Sequence, residues 1–325
     1  MRKFEETKMS FDKPEVVVVG AGAMGGLFGG LLAEGGLTVT LIDAWAEHVA
    51  AINNGGLRMV GVGGDRRIKL KATTDARSIA RADVVLVQCK AYANEAAARS
   101  IKHLFVRDGG TVAISFQNGL GNEDRIGAII GTGNVLAGLT SQAGLVEAPG
   151  VVRNFGDLPT HIGERTGGIS ERATAIAAAF TAHNLPVSAS ANIMRDKWKK
   201  LLGNVALGAI SAVTDLRSFE IMAVPELADV ALKSLDEAAQ VAKAEGHDLD
   251  IAEARSVMLK LVDTTGGGTG AAKSSMREDI IRRRQTEIDT IHGAVAGLGR
   301  KHGIPTPTID TMVALVKGLQ TQYLK

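Results

Sequence analysis

The chain has 325 residues, 45% hydrophobic and 22% charged, with a formal net charge of +2. This length exceeds one ordinary hydrophobic core and predicts two domains. A charge so small and so evenly spread gives no basis for binding nucleic acid or an anionic membrane. The single cysteine, Cys89, excludes an intramolecular disulfide and fits a reducing, cytoplasmic setting, and no apolar stretch reaches the ~18 residues of a membrane span.

Residues 1–13 mix both charge signs without an apolar run and read as a flexible tail, not a signal peptide. The first chemical signal follows at once. Four valines, Val16 to Val19, drive into Gly20-Ala-Gly22-Ala23-Met24-Gly25. A run of β-branched residues with no alternation predicts a strand buried on both faces, as in a parallel sheet. The glycines have separate uses in a dinucleotide fingerprint. Gly20 makes the tight turn, Gly22 admits a pyrophosphate close to the backbone, and Gly25 lets the next helix pack on the strand. That helix, amphipathic from Met24 to Glu34, presents free N–H groups and a positive dipole end to phosphate. Gly35-Gly36 stops it, and a second strand from Val39 ends at Asp43, near the ~20-residue offset of an acidic ribose ligand.

A helical stretch at Ala46 to Asn53 comes next, then short antiparallel strands within Leu57 to Thr73, and strands at Asp83 to Cys89, Thr111 to Phe116 and Leu136 to Thr140. Cys89, at the end of an apolar run, reads as a small buried hydrophobe. Glycines at near-regular spacing through 143–164 predict short hairpins. Strands alternating with helices imply a doubly wound α/β sheet of Rossmann type over residues 14–190. From about Asn192 strand signals vanish and 3.6-residue periodicity takes over, at Met194 to Ala212, Pro225 to Glu245, Ile251 to Val262, Ser275 to His302 and Ile309 to Leu319. Residues 191–325 are therefore expected to form an all-α domain. Arg282-Arg283-Arg284 reads as a solvated face of one of its helices, and Thr264 to Gly270 as a surface loop in preference to a lid.

Four short motifs narrow the choice among two-domain oxidoreductases: Gln88-Cys-Lys90-Ala, Gln117-Asn118-Gly-Leu-Gly, Trp198-Lys-Lys200-Leu before Asn204, and Ser274-Ser275-Met ahead of Thr286-Glu287-Ile-Asp. Together, in this order, they make the chain resemble the ketopantoate reductase (2-dehydropantoate 2-reductase) family, from about Val16 to the last helix. The resemblance implies an α/β Rossmann domain followed by an all-α domain like the C-terminal domain of 6-phosphogluconate dehydrogenase. It implies NAD(P)H-dependent reduction of a 2-oxo acid, ketopantoate by default, in pantothenate biosynthesis, without a metal. Carried over residue by residue, Lys200 is the catalytic lysine, Glu287 the acid beside it, and Asn118 and Lys90 stand at the junction of cofactor and substrate. Asn204 and Ser275 bind substrate. With the fingerprint, the cofactor set is Gly20, Gly22, Ala23, Met24, Gly25, Asp43, Lys90 and Asn118. A homodimer is the assembly that the family suggests, with Ile280, Ile281, Ile288 and Ile291 as apolar positions for either a partner or the chain's own core.

The residues support these roles on their own terms. Hydride addition to a ketone develops charge on oxygen, which needs a proton donor or cation within reach. Lys200 and Asn204 are four apart on one helix face, beside an apolar stripe of Trp198, Leu201, Leu202 and Val205. Against this, most surface lysines only solvate a helix, Glu287 could pair with Arg283 or Arg284, and Asn-Gly often merely turns a loop. Two departures from the family bear on function. Ala44 follows Asp43 where NADPH-dependent members often carry an arginine, which favours NADH, although His48, Arg66 or Arg67 could still reach a 2′-phosphate. Gly208 stands where ketopantoate-specific members have an asparagine, which opens space beside Asn204 for a different or bulkier 2-oxo acid. A 3-hydroxy acid dehydrogenase on the same plan and a dinucleotide sensor without turnover are the competing readings; the Gln117 and Ser274 motifs oppose the first, and the set of Lys200, Asn204 and Glu287 opposes the second.

Overall fold

The computed structural model describes residues 11–105, 110–156, 158–262 and 274–324; Thr264 to Gly270 and most of the N-terminal tail lie outside them. The chain divides into two compact units, one of residues 1–117 with 122–194 and one of residues 118–121 with 195–325. The break expected after residue 190 thus falls after Met194, inside the first turn of a helix, and four residues of the first half group with the second unit. Backbone pairing causes this: Leu120 N–H donates to the Thr290 carbonyl at 2.9 Å, a contact that no periodicity announces.

The first unit runs β1 (Val16–Val19), α1 (Ala23–Glu34), β2 (Val39–Ile42), α2 (Ala46–Gly55), β3 (Leu57–Gly61), β4 (Arg66–Ile68), β5 (Lys71–Thr73), β6 (Val84–Val87), α3 (Asn94–Ile101), β7 (Val112–Ser115), α4 (Asn122–Ile130), β8 (Val135–Thr140), β9 (Gly144–Ala148), β10 (Val151–Asn154), β11 (Thr160–Gly163), α5 (Glu171–Ala182) and β12 (Ser188–Ala189). Eight strands form one sheet in the order β12-β11-β8-β7-β6-β1-β2-β5. All neighbours in it are parallel except β11 against β8. The order reverses at β1, and ligands of doubly wound sheets bind at such a switch point, beyond the carboxyl ends of the strands. Val16, Val17 and Val18 have no exposed surface, as expected of a strand covered on both faces.

The stretches 57–68 and 144–154 form a second sheet, ordered β4-β3-β10-β9, in which β10 lies parallel to β3 and antiparallel to β9. The hairpins read from 143–164 therefore split between two sheets, because β11 joins the large one. Helix α1 is correspondingly not amphipathic. A Cβ at Gly29 would meet Leu41 of the large sheet, and one at Gly30 would meet Met59 of the small sheet. The helix is enclosed on both sides, and its glycines let the two layers approach.

The second unit is helical: α6 (Ile193–Thr214), α7 (Ser218–Ala223), α8 (Pro225–Ala244), α9 (Ile251–Val262), α10 (Ser275–Ile281), α11 (Ile288–His302) and α12 (Pro307–Gln320). Pro225 and Pro307 stand at helix starts, where a missing N–H costs nothing. The single helix expected over 275–302 is two. Arg283 adopts φ +51°, and Thr286 N–H is bound by Gln320 Oε1 of α12 at 2.7 Å. The break is made by that distant partner, with no glycine or proline to mark it. The three arginines are accordingly exposed around a turn and not along a helix. Ile288 and Ile291 are buried within the chain, whereas Ile281 is 56% exposed.

Candidate active site

Residues 20–25 form a tight glycine loop at the end of β1. Gly20 has φ +96°, and a Cβ there would lie 2.5 Å from the Cys89 backbone nitrogen. A Cβ on Gly25 would lie 1.8 Å from the Gly20 carbonyl oxygen, so any side chain would push α1 off its strand. Gly22, the N-cap of α1, has no side-chain cap and nothing within 4 Å of its Cβ position. Uncapped N–H groups with open space before them fit a pyrophosphate. Ala23 and Met24 form the first turn of α1, both partly exposed.

Asp43 follows β2 and binds this loop directly. One carboxylate oxygen accepts Ala21 N–H at 2.7 Å and the other accepts Trp45 N–H at 2.9 Å. A carboxylate offers about four lone-pair sites, so two backbone bonds leave capacity for a ribose hydroxyl. Beside it Trp45, 39% exposed, stacks on His48 with ring centroids 5.2 Å apart. His48 is buried, and both its nitrogens are used: Nδ1 accepts Gly150 N–H at 3.0 Å, so Nε2 is the donor to the Ala21 carbonyl, also at 3.0 Å. Burial lowers its pKa. A neutral imidazole held at both ends is a brace for the glycine loop, which overturns its reading as a phosphate ligand. Arg66 is committed to Glu34 and two carbonyls, and Arg67 donates to the Gly55 carbonyl.

The carboxyl ends of β6 and β7 are tied by a buried amide network. Gln117 donates to the Cys89 carbonyl and to Asn94 Oδ1, and Asn94 donates to Asn122 Oδ1 at 2.9 Å. Cys89 is partly exposed at this edge and packs against the margin of the core instead of lying fully within it. Lys90 follows it, partly exposed, and opens a short 3₁₀ turn. Between α3 and α4 a charged depression of about 530 Å³, lined by Arg99, Lys102 and Arg125 among others, contains none of the candidate site residues.

In the second unit, α6 sorts its three clustered lysines by partner. Lys199 pairs with Glu253 at 2.5 Å. Lys197 is buried. Lys200 donates to Asn118 Oδ1 at 3.0 Å. The Lys200 ammonium is lowered from 10.5 to about 8, first by burial and then by the charge of Lys197, with Glu287 acting in the opposite direction. So Glu287 is an electrostatic neighbour of Lys200. It stands at the N-cap of α11, half-buried. The apolar stripe of Trp198, Leu201, Leu202 and Val205 is buried and anchors the helix so that Lys200 and Asn204 share the adjoining face. Asn204 is partly exposed. One turn further, the Gly208 carbonyl accepts from Ser274 Oγ at 3.0 Å. Ser274 is the N-cap of α10, whereas Ser275, the substrate residue expected from the motif, is exposed.

The structure thus brings Lys200, Asn118 and Glu287 together and puts Asn204 on the same helix face. The glycine loop, Asp43 and Lys90 gather in the first unit. Asn118, expected to serve the cofactor as well as catalysis, is seen on Lys200. His48, Gln117, Lys197 and His292 (a buried histidine facing Gly208) carry structural or electrostatic roles that spacing did not reveal. The local signals were thin: an isolated histidine or glutamine beside an apolar run usually fills a core.

Comparison with known proteins bears on the family and the fold. Residues 16–167 match the family model described as ketopantoate reductase PanE/ApbA, and residues 192–320 match that of the ketopantoate reductase PanE/ApbA C terminal. A 2-dehydropantoate 2-reductase from Halobacterium salinarum is 33% identical over 306 residues, covering 93% of this chain and 97% of that protein. One from Pyrococcus abyssi is 32% identical over 304 residues, covering 94% and 97%. Among solved structures, a ternary complex of D-mandelate dehydrogenase with NADH and anilino(oxo)acetate superposes with a TM-score of 0.88 at 28% identity, covering 95% of this chain and 99% of that one. A ketopantoate reductase from Ralstonia eutropha does so with a TM-score of 0.86 at 29% identity, covering 95% and 100%.

Proposed function

The chain belongs to the ketopantoate reductase family, and from that premise and the surroundings of Lys200 we propose that it reduces a 2-oxo acid, 2-dehydropantoate by default, with a nicotinamide dinucleotide. When bound, the reduced nicotinamide supplies the hydride for the carbonyl carbon. Lys200 holds the proton that the carbonyl oxygen takes as the C=O double bond opens. An ordinary lysine is a poor acid at neutral pH; one lowered to about 8 is still protonated there and releases its proton more readily. Asn118 Oδ1 fixes the direction of Nζ, and Glu287 keeps the ammonium from titrating lower. Asn204, one turn along, orients the acid. The observation that carries this reading is the Lys200–Asn118 hydrogen bond on a depressed lysine. A panel of 2-oxo acids with NADH and NADPH tests it, and absence of turnover for all of them, with cofactor bound, overturns it in favour of a dinucleotide sensor.

NADH is the preferred cofactor in this reading. Asp43 accepts from a free ribose hydroxyl and repels a 2′-phosphate. Of the three basic groups that might have compensated, His48 is bound at both nitrogens and Arg66 is held by Glu34 and two carbonyls, Arg67 gives one donor to the Gly55 carbonyl, and Ala44 adds no charge. A higher kcat/KM with NADPH than with NADH overturns this preference. A second substrate reading, an acid wider than 2-dehydropantoate, is favoured by Gly208 and by the D-mandelate dehydrogenase likeness; phenylglyoxylate belongs in the same panel.

A further inference from the structure

The chain has two tryptophans. Trp198 is buried in α6, whereas Trp45 is 39% exposed. Trp45 is the N-cap of α2 and makes no side-chain cap bond. Helix starts favour a short, oxygen-bearing side chain at that position, so a tryptophan there serves neither the cap nor the core. Its backbone is nevertheless held at both ends. The N–H donates to Asp43 Oδ1 at 2.9 Å, and the carbonyl accepts Val49 N–H at 3.1 Å. The indole lies nearly parallel to the His48 ring, at 11° with centroids 5.2 Å apart, as in favourable aromatic stacks. His48 is itself fixed, by the Ala21 carbonyl and the Gly150 N–H on its two nitrogens, and it is buried. One face of the indole is thus covered by an anchored ring, and its exposed area belongs to the other face and the edges.

We propose that the open face of Trp45 is the platform on which the base of the dinucleotide stacks, so that the base is recognised by its flat face and not by the donors and acceptors on its edges. This rests on the nicotinamide dinucleotide reading above. The carboxylate that accepts the ribose hydroxyl in that reading is the one that holds Trp45 N–H. The base is joined to the ribose carbon next to the 2′-hydroxyl, so a ribose on Asp43 carries its base to the side chains adjoining Asp43. Trp45 is the aromatic one among them. His48 presets the plane of the indole, so little freedom is lost when a second ring is laid on it. The flanking Ala44 and Ala46 have methyl side chains, which give the edges of a base nothing to pair with. Stacking of a base on an aromatic side chain contributes about tenfold or more in affinity and tolerates any base, because each has a π-face.

The test measures dissociation constants on the full chain, by calorimetry, for NADH and for reduced nicotinamide hypoxanthine dinucleotide, in which an oxygen replaces the amino group of the base. In the wild type the two should agree within about threefold. Trp45→Leu, which still covers His48 but has no ring, should weaken both by about tenfold. Trp45→Phe, which keeps a ring, should retain most of the affinity. Independently of any variant's folding, ADP-ribose, which carries the base but no nicotinamide, should quench the tryptophan emission of the wild type, where Trp45 is the exposed one of the two indoles. Trp45→Leu binding NADH as tightly as Trp45→Phe, a hypoxanthine dinucleotide bound more than about tenfold more weakly than NADH by the wild type, or emission unmoved by saturating ADP-ribose overturns this inference alone. A wild type that binds neither NADH nor NADPH overturns the nicotinamide dinucleotide reading and this inference with it.

Discussion

The glycine loop of the first unit and the Lys200 face of the second solve different problems with different materials. The loop is made of backbone: Gly20, Gly22 and Gly25 matter for the side chains that they lack, and all lie within six residues. The Lys200 face is made of side chains from residues 118, 200, 204 and 287, drawn from three stretches of chain: a loop, α6 and the start of α11. The loop's geometry is enforced by contacts that leave no room, such as the 1.8 Å between a Cβ on Gly25 and the Gly20 oxygen. The lysine's chemistry is set by fields that add and oppose, burial and Lys197 against Glu287. Steric constraints are steep and break abruptly; electrostatic ones are graded and can be tuned.

That contrast can be broken most sharply at Gly25. Gly25→Ala should lose cofactor binding and destabilise the first unit by about 1–3 kcal/mol or more; a thermal melt together with an NADH titration checks both, and near-normal binding would mean that α1 shifts freely. Next in size is Lys200→Ala, expected to lower kcat by about 10²–10⁴-fold while the NADH dissociation constant stays near wild type. Turnover close to wild type would remove Lys200 from the chemistry. Asp43→Ala should raise KM for NADH by roughly tenfold and narrow the gap to NADPH, because it removes both the proposed ribose acceptor and the brace on Ala21. If kcat falls and KM does not, Asp43 serves a different end.

The smallest expected effects are shifts along the pH axis. In the direction of reduction Lys200 must be protonated, so activity should hold below about pH 8 and decline as pH rises through that value. Glu287 raises the lysine's pKa, so Glu287→Gln should move the decline to lower pH. Lys197 lowers it, so Lys197→Met should move the decline to higher pH. Paired pH profiles of kcat/KM read both directions, and shifts of the same sign would contradict the opposing roles.

The two regions were not equally legible. The fingerprint could be read from Val16 to Asp43 because it is local: strand, turn and helix start follow within about thirty residues, and each glycine's use is a property of the backbone where it stands. The boundaries of α6, α8, α9 and α12 were readable for a similar reason, since one buried face repeats along each helix. Lys200, Asn118 and Glu287 could be singled out only through resemblance to a family, because nothing in 197–200 tells a desolvated lysine from one paired to Glu253. The break between α10 and α11 was missed because the residue that makes it, Gln320, lies more than thirty positions away.

What the sequence by itself determined is the part governed by short range: the buried strands, the glycine loop, the acid at the end of β2, the helical second half and the order of the motifs. Only the tertiary structure decided which lysine is desolvated, that His48 braces the loop instead of meeting a phosphate, that residues 118–121 group with the helical unit, and that Gly208 is buried against His292. Desolvation and hydrogen-bond partnership are properties of a neighbourhood, and these neighbourhoods are assembled from residues as far apart as Leu120 and Thr290, a separation at which local propensity carries no information.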